Sequence, residues 1–274
     1  MKLKLIMVYL FACTLSIFGQ SRSDYEKKAN ICFSKDDYVG AEAFYKQAIA
    51  VSESNYDEMY VLYANMGTAQ RRNGKKKEAL ESYNIADKLK PNDVFILNNR
   101  ASLKLQLKDN KGALEDYIHS LNVDPLNEAT LINRSHLYKV MGDTILALKD
   151  LEAVLKFKPK SLPARNNIAD IQMNRGRFTE ALKTFDELLE ENPNEPILIE
   201  NKGEVYLKMK DYNKALEFVN QAMKLKSTYD TPYMTRGEIY MKLGDLGKAK
   251  KDFQKAIKLG CDDDKVFELL DKCR

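Results

Sequence analysis

Residues 108–125 read KDNKGALEDYIHSLNVDP, and residues 142–159, one repeat later, read GDTILALKDLEAVLKFKP. Each stretch holds an alanine (Ala113, Ala147), then a bulky apolar residue (Tyr117, Leu151), then Ser120 or Val154, then a closing proline (Pro125, Pro159). Working outward, the alanine recurs at Ala41, Ala79, Ala181, Ala215 and Ala249, always 34 residues apart except for one gap of 38 between Ala41 and Ala79. A fixed period of this length marks stacked supersecondary units, each too small to bury its own apolar face.

With the alanine placed at position 20 of a 34-residue repeat, its neighbours keep their type. Position 8 is small throughout: Ala29, Gly67, Ala101, Ser135, Ala169, Gly203 and Gly237. Position 24 is bulky (Tyr45, Tyr83, Tyr117, Leu151, Phe185, Val219, Phe253), and position 27 is mostly small (Ala48, Ala86, Ser120, Val154, Leu188, Ala222, Ala256). Pro91, Pro125, Pro159 and Pro193 stand at position 32, where a proline ends a helix. Helix axes packed at roughly 8–10 Å leave room at their contact only for Gly, Ala or Ser, which explains the small positions.

This pattern resembles the tetratricopeptide repeat, two antiparallel helices in 34 residues with small positions 8, 20 and 27. The resemblance covers residues 22–263 as seven repeats (22–55, 60–93, 94–127, 128–161, 162–195, 196–229 and 230–263). It implies an all-α fold: a right-handed superhelical solenoid of seven helix hairpins. The departure from the family is at position 4, which lacks tryptophan and holds Tyr25, Tyr63, Leu97, Leu131, Arg165, Ile199 and Tyr233. Arg165 is expected to lay an apolar stem in the packing and reach solvent with its guanidinium.

Residues 264–274 are expected to form a capping helix, because Val266, Phe267, Leu269, Leu270 and Cys273 make an apolar stripe at helical spacing. A partner-binding helix is the alternative reading of the same stripe. The four extra residues of the long gap, near Asn55 to Glu58, amount to about one helical turn. They fit either an early start to the next helix or a longer loop.

Residues 1–20 read as a secretory signal peptide: Lys2 and Lys4 precede an apolar run from Leu5 to Phe18 that ends in Gly19 and Gln20. The run is shorter than the ~20 residues that span a bilayer. Export to the periplasm or the extracellular space is the expectation. An outer-membrane lipoprotein processed at Cys13, after Leu10, Phe11 and Ala12, is the alternative, and a membrane is expected only in that lipid-anchored form.

Composition agrees with a helical array: 31% of residues are charged, there are 12 glycines and 7 prolines, tryptophan is absent, and the mean hydropathy is −0.48. The net charge of +4 lacks the strongly basic character of nucleic-acid binders, and the run Lys75, Lys76, Lys77 reads as a solvated turn. Cys261 and Cys273 are not expected to bridge, since a helix between them would hold them apart.

No catalytic constellation is legible. His119 and His136 fall on different helix layers, no metal-ligand spacing accompanies them, and no phosphate loop or Cys-x-x-Cys pair is present. No cofactor and no metal are expected.

In the resembled family the first helix of each hairpin lines a concave groove that takes peptide segments of other proteins. Position 6, on that face, holds Asn65, Asn99, Asn133, Asn167 and Asn201, a ladder closed by Lys27 and Thr235 at its ends. Each carboxamide offers an acceptor and two donors, the chemistry that holds an extended backbone whatever its side chains. A similar ladder serves the repeat domains of O-linked N-acetylglucosamine transferases. The alternative is that these amides bond only solvent or the neighbouring turn. Phe95, Ile132, Met173 and Met241 are expected as apolar groove contacts, and His136, Asp170 and Glu204 as polar ones. The expected function is a non-catalytic scaffold that binds extended peptides of a protein partner. The alternative is an assembly component of a cell-envelope complex.

Overall fold

The computed structural model describes residues 21–53, 56–261 and 264–273. The leader at 1–20, with Cys13, lies outside the described residues, as does Asn55. Among the described residues there are fifteen α-helices and no strand. Seven pairs form hairpins: α1 (Arg22–Ser34) with α2 (Tyr38–Val51), α3 (Met59–Arg72) with α4 (Lys76–Leu89), α5 (Val94–Gln106) with α6 (Asn110–Val123), and α7 (Glu128–Val140) with α8 (Thr144–Phe157). The series continues with α9 (Leu162–Asn174) and α10 (Phe178–Glu191), α11 (Pro196–Lys208) and α12 (Tyr212–Leu225), and α13 (Thr231–Lys242) and α14 (Leu246–Lys258). Helix α15 (Asp264–Asp271) follows. By their internal contacts the residues fall into two units, one up to Asp150 and one from Leu151.

One turn is used seven times to reverse the chain within a hairpin. Position 15 has a positive φ in every repeat: Asp36, Gly74, Lys108, Gly142, Gly176, Lys210 and Gly244. The N–H of the next residue then returns to a carbonyl five residues back, as from Asp109 to Lys104 (2.9 Å) and from Asp143 to Tyr138 (2.8 Å). This left-handed closure satisfies carbonyls that the ending helix leaves unpaired. Asp37, Asp109, Asp143, Asp211 and Asp245 then cap the second helix, each accepting from an N–H three residues on.

The small residues sit where the helices touch. All seven position-20 alanines are fully buried, and so are the seven side chains at position 27. The bulky residues of position 24 fill the space beside them: Tyr83, Leu151, Phe185, Val219 and Phe253 are 0% exposed. Burying a side chain of this size contributes roughly 1.5–3 kcal/mol.

Polar clamps add direction to this packing. Arg100 grips Asp116 through Nε (2.8 Å) and an amino nitrogen (2.9 Å), Arg134 grips Asp150 the same way (2.8 and 2.7 Å), and Arg236 grips Asp252 (2.8 and 2.7 Å). Each joins position 7 of a first helix to position 23 of its partner, and a two-point guanidinium–carboxylate bond fixes orientation as well as distance.

Three expectations are settled locally. Helix α3 starts at Met59, so of the inserted residues Tyr56, Asp57 and Glu58 lie before the helix and not in an added first turn, and Tyr56 takes the Arg22 guanidinium 3.6 Å over its ring. Arg165 does not end in solvent. Its side chain is 15% exposed and pairs with Glu191 (2.8 Å) and Glu187 (3.3 Å) of α10, because the second helix of its own hairpin presents carboxylates within reach. In α15, Val266 and Cys273 are buried and Leu269 and Leu270 pack against Ala249, Phe253 and Ala256. Phe267 departs from the expected stripe at 48% exposure, since it lies about 100° around the helix from Val266. Cys32, Cys261 and Cys273 are free thiols.

Candidate functional site

The first helices of successive hairpins touch directly: α3 with α5 and α5 with α7 in the first unit, α9 with α11 and α11 with α13 in the second. Their shared face carries the sequence-derived site residues. Asn65, Phe95, Asn99, Ile132, Asn133 and His136 stand in the first unit, and Asn167, Asp170, Met173, Asn201, Glu204 and Met241 in the second. Phe95 is 54% exposed and His136 is exposed, while the asparagines, Ile132, Asp170, Glu204 and Met241 are half-buried. Met173 is corrected: at 2% exposure it belongs to the core formed with Ala181, Phe185 and Val205, because its long side chain packs between α10 and α11, whereas Leu207, at the same place in the next repeat, lines the open side.

The amide ladder has a geometry that the spacing did not reveal. The Asn133 side-chain amide donates to Oδ1 of the Asn98 side chain (3.1 Å), and the Asn201 side-chain amide donates to Oδ1 of Asn166 (2.7 Å). The Thr235 hydroxyl donates to Glu200 in the same manner (2.6 Å). Each rung joins position 6 of one repeat to position 5 of the repeat before it. These polar side chains therefore tie hairpin to hairpin, and Asn99 instead donates to the Phe95 carbonyl of its own helix (2.8 Å).

In the second unit the face deepens into a cleft of about 480 Å³ between α11 and α13, lined by Glu204, Leu207, Met234, Thr235 and Glu238, with Lys265 of α15 at its rim. Lys265 pairs with Glu238 (2.6 Å), and Lys208 lies 3.4 Å from Glu204. Behind the cleft Glu200 is 2% exposed, and burial together with the charges of Glu204, Glu238 and Asp170 pushes its carboxyl up to about 8, against the pull of the Thr235 hydroxyl. Burial also raises Glu204. In the first unit Arg71 lies by the hydroxyl of Tyr83, which burial holds above its ordinary range and which also bonds Thr68 (2.9 Å).

The interhelical rungs and the position 7 to position 23 clamps are what the residue reading missed. The clamps left a trace in the sequence: Arg100 with Asp116, Arg134 with Asp150 and Arg236 with Asp252 repeat one 16-residue spacing. His119 sits on the second-helix layer, against Asn92 (2.6 Å), away from His136 on α7. Among the described residues no cluster of three or more His, Cys, Asp or Glu is placed to hold a metal ion.

The tetratricopeptide repeat family matches residues 60–93, 141–199, 198–229 and 231–263. No curated protein matches the sequence. A solved tetratricopeptide repeat protein from Parabacteroides merdae is 31% identical, with 93% of this chain and 99% of that chain covered and a TM-score of 0.79. Yeast Tom70 is 17% identical over 97% of this chain and 57% of its own, with a TM-score of 0.66. Pseudomonas aeruginosa pilF is 16% identical over 79% of this chain and 98% of its own, with a TM-score of 0.56. The last two likenesses are of fold alone. The periodic alanines, the seven like turns and the Parabacteroides likeness converge: the chain belongs to the tetratricopeptide repeat family, a fold that serves as a protein–protein interaction scaffold.

Proposed function

We propose that the first-helix faces hold extended segments of partner proteins, and that the chain does so without catalysis. The observation that carries this reading is the cleft between α11 and α13, with apolar Leu207 and Met234 flanked by Glu204, Glu238 and Thr235. Such a mixture suits a peptide, whose side chains are buried against the apolar floor while its polar groups meet the walls. Exposed Phe95 on α5 supports the same role for the first unit, as a large aromatic open to solvent is a contact in waiting.

The asparagines contribute differently from a free backbone clamp. Asn133 and Asn201 spend an amide donor on the neighbouring repeat, so they set the spacing of the face, and Asn65 and Asn167 remain its half-buried polar contacts. Site-specific photocrosslinking in cells tests the proposal. A crosslinker at Met234 or Phe95 is expected to trap partner proteins, and one at exposed Lys183 on α10 is expected to trap none. Equal labelling at all three sites, or labelling at Lys183 alone, would overturn it.

Export of the chain belongs to the same reading and rests on the charged and apolar pattern of residues 1–20. The intact mass of the cellular protein tests it. Loss of about twenty residues supports export, lipid mass on Cys13 supports the anchored form, and a full-length chain in the cytoplasm refutes both.

A further inference from the structure

One guanidinium on the first-helix face of the first unit has no counter-charge. Arg100, Arg134 and Arg236 each grip a carboxylate through Nε and an amino nitrogen. Arg71, near the end of α3, meets no carboxylate among the described residues, and its Nε is covered with no hydrogen-bond partner. The residue is half-buried, so the amino nitrogens at its tip stay open to solvent.

The surrounding helices supply no acid to this cation. Helices α3 and α5 contain no aspartate or glutamate, and α7 has only Glu128, at its N-terminal end. The carboxylates that second helices bring to α3 and α5 are already held: Glu42 by Lys46, Lys75 and Gln70, and Asp116 by Arg100 and Lys104. Of the turn aspartates, Asp36 accepts from the Tyr38 hydroxyl, and Asp37 and Asp109 accept from the N–H groups of Gly40 and Gly112. In the second unit the same face is acidic, with Asp170, Glu204 and Glu238 at position 9, where α3 and α5 have Thr68 and Ser102.

Hydroxyls complete the setting. Thr68 gives its proton to the Ala64 carbonyl (3.0 Å), so in the bond between them the Tyr83 hydroxyl donates to Thr68 (2.9 Å) and leaves its own oxygen for Arg71. Burial raises the Tyr83 and Tyr117 phenols and the Arg71 charge draws both back, so the guanidinium stands over the step between the second and third hairpins. A cation among neutral groups on a half-buried face is screened less than one in open solvent, and its bond to an anion is the stronger for it.

We propose that Arg71 anchors an acidic side chain, aspartate or glutamate, of the partner segment held on the first-unit face. The inference rests on the peptide-binding reading and adds the chemistry of the partner. The carboxylate lies against the amino nitrogens of Arg71 and supplies the counter-charge that α3, α5 and α7 withhold.

Random peptides displayed on phage with no free C-terminus, selected on the full chain, test this. The parent is expected to enrich peptides with Asp or Glu at one fixed place, and Arg71→Glu to enrich Lys or Arg there. For a selected peptide made by synthesis, replacing the acid by its amide is expected to weaken binding to the parent at least tenfold and binding to Arg71→Gln not at all. Lys111→Gln, which removes an exposed cation of α6, should behave as the parent. A photoreactive group beside the acid is expected to label α3 or α5 of the parent, a readout that needs no variant to fold. If the parent enriches nothing, the peptide-binding reading itself fails. Enriched peptides without an acid, an acid that matters equally to the parent and Arg71→Gln, or labelling away from α3 and α5 would each overturn the Arg71 anchor alone.

Discussion

At the scale of single residues, the same amino acid is worth opposite amounts in two places. Glu42 is buried, yet Lys46 and Lys75 (2.7 Å each) and Gln70 (3.2 Å) surround its carboxylate and, against the burial, hold it down to about 2. Glu200 is equally buried, meets no ion pair among the described residues, and keeps its proton up to about 8. The linkage runs in opposite directions. Glu42 stabilises the fold above its ordinary 4.5, a contribution lost as pH falls toward 2. Glu200 contributes fully below 4.5, and that contribution is lost as pH rises through 8. Glu200→Gln, which retains an acceptor for Thr235, is therefore expected to match the parent in urea unfolding at pH 4 and to exceed it at pH 9; equal midpoints at pH 9 would show that the carboxyl ionises freely in the fold. Packing is as position-specific as charge. A Cβ on Gly237 would lie 2.5–2.9 Å from the fully buried Phe253 ring, so Gly237→Ala is expected to cost about 1–3 kcal/mol. Ala147→Leu should cost about as much for the same reason, and unchanged urea midpoints in both would contradict the close helix contact.

At the scale of elements, the hairpin turn is a backbone device before it is a sequence motif. Position 15 adopts the left-handed region in all seven repeats, although three of them place Asp36, Lys108 and Lys210 where glycine would be unstrained. A side chain there costs roughly 1–2 kcal/mol, part of which the greater freedom of glycine in the unfolded chain offsets. Lys108→Gly should thus stabilise by up to about 1 kcal/mol and Gly176→Ala should destabilise by about 1 kcal/mol. Calorimetric melting of both variants checks this, and shifts of like sign would mean that the turn relaxes to another conformation. The Arg–Asp clamps act at the same scale: with Arg100 and Asp116 at 12% and 8% side-chain exposure, they set how two helices of one hairpin cross.

At the scale of the molecule, stability is a series of neighbour terms and not one shared core. Each apolar cluster draws on one or two hairpins, as when Ala249, Phe253 and Ala256 gather with Val266 of α15. Damage should then stay local. Hydrogen exchange in Gly237→Ala is expected to quicken in α13, α14 and α15 and to stay at the parent's rate in α3 and α5. Uniform acceleration along the chain would instead reveal a single cooperative unit.

How much of this was legible beforehand depended on the kind of residue. Ala41 through Ala249 announced the hairpins, since a helix contact accepts only small side chains and the repeat displays that restriction seven times over. Met173 was misread because position on a first helix does not say which way a long, adaptable side chain turns, and Arg165 because its two glutamates lie on another helix. By itself the sequence determined the family, the helix pairs and the buried stripe, all consequences of short-range sterics and period. Only the tertiary structure decided that Asn133 and Asn201 bond the preceding repeat, that Glu200 lacks the cations that Glu42 has, and that Arg71 is left without a carboxylate. Those facts depend on which side chains meet across helices, and hydrogen bonding and desolvation act through such meetings, not through spacing along the chain.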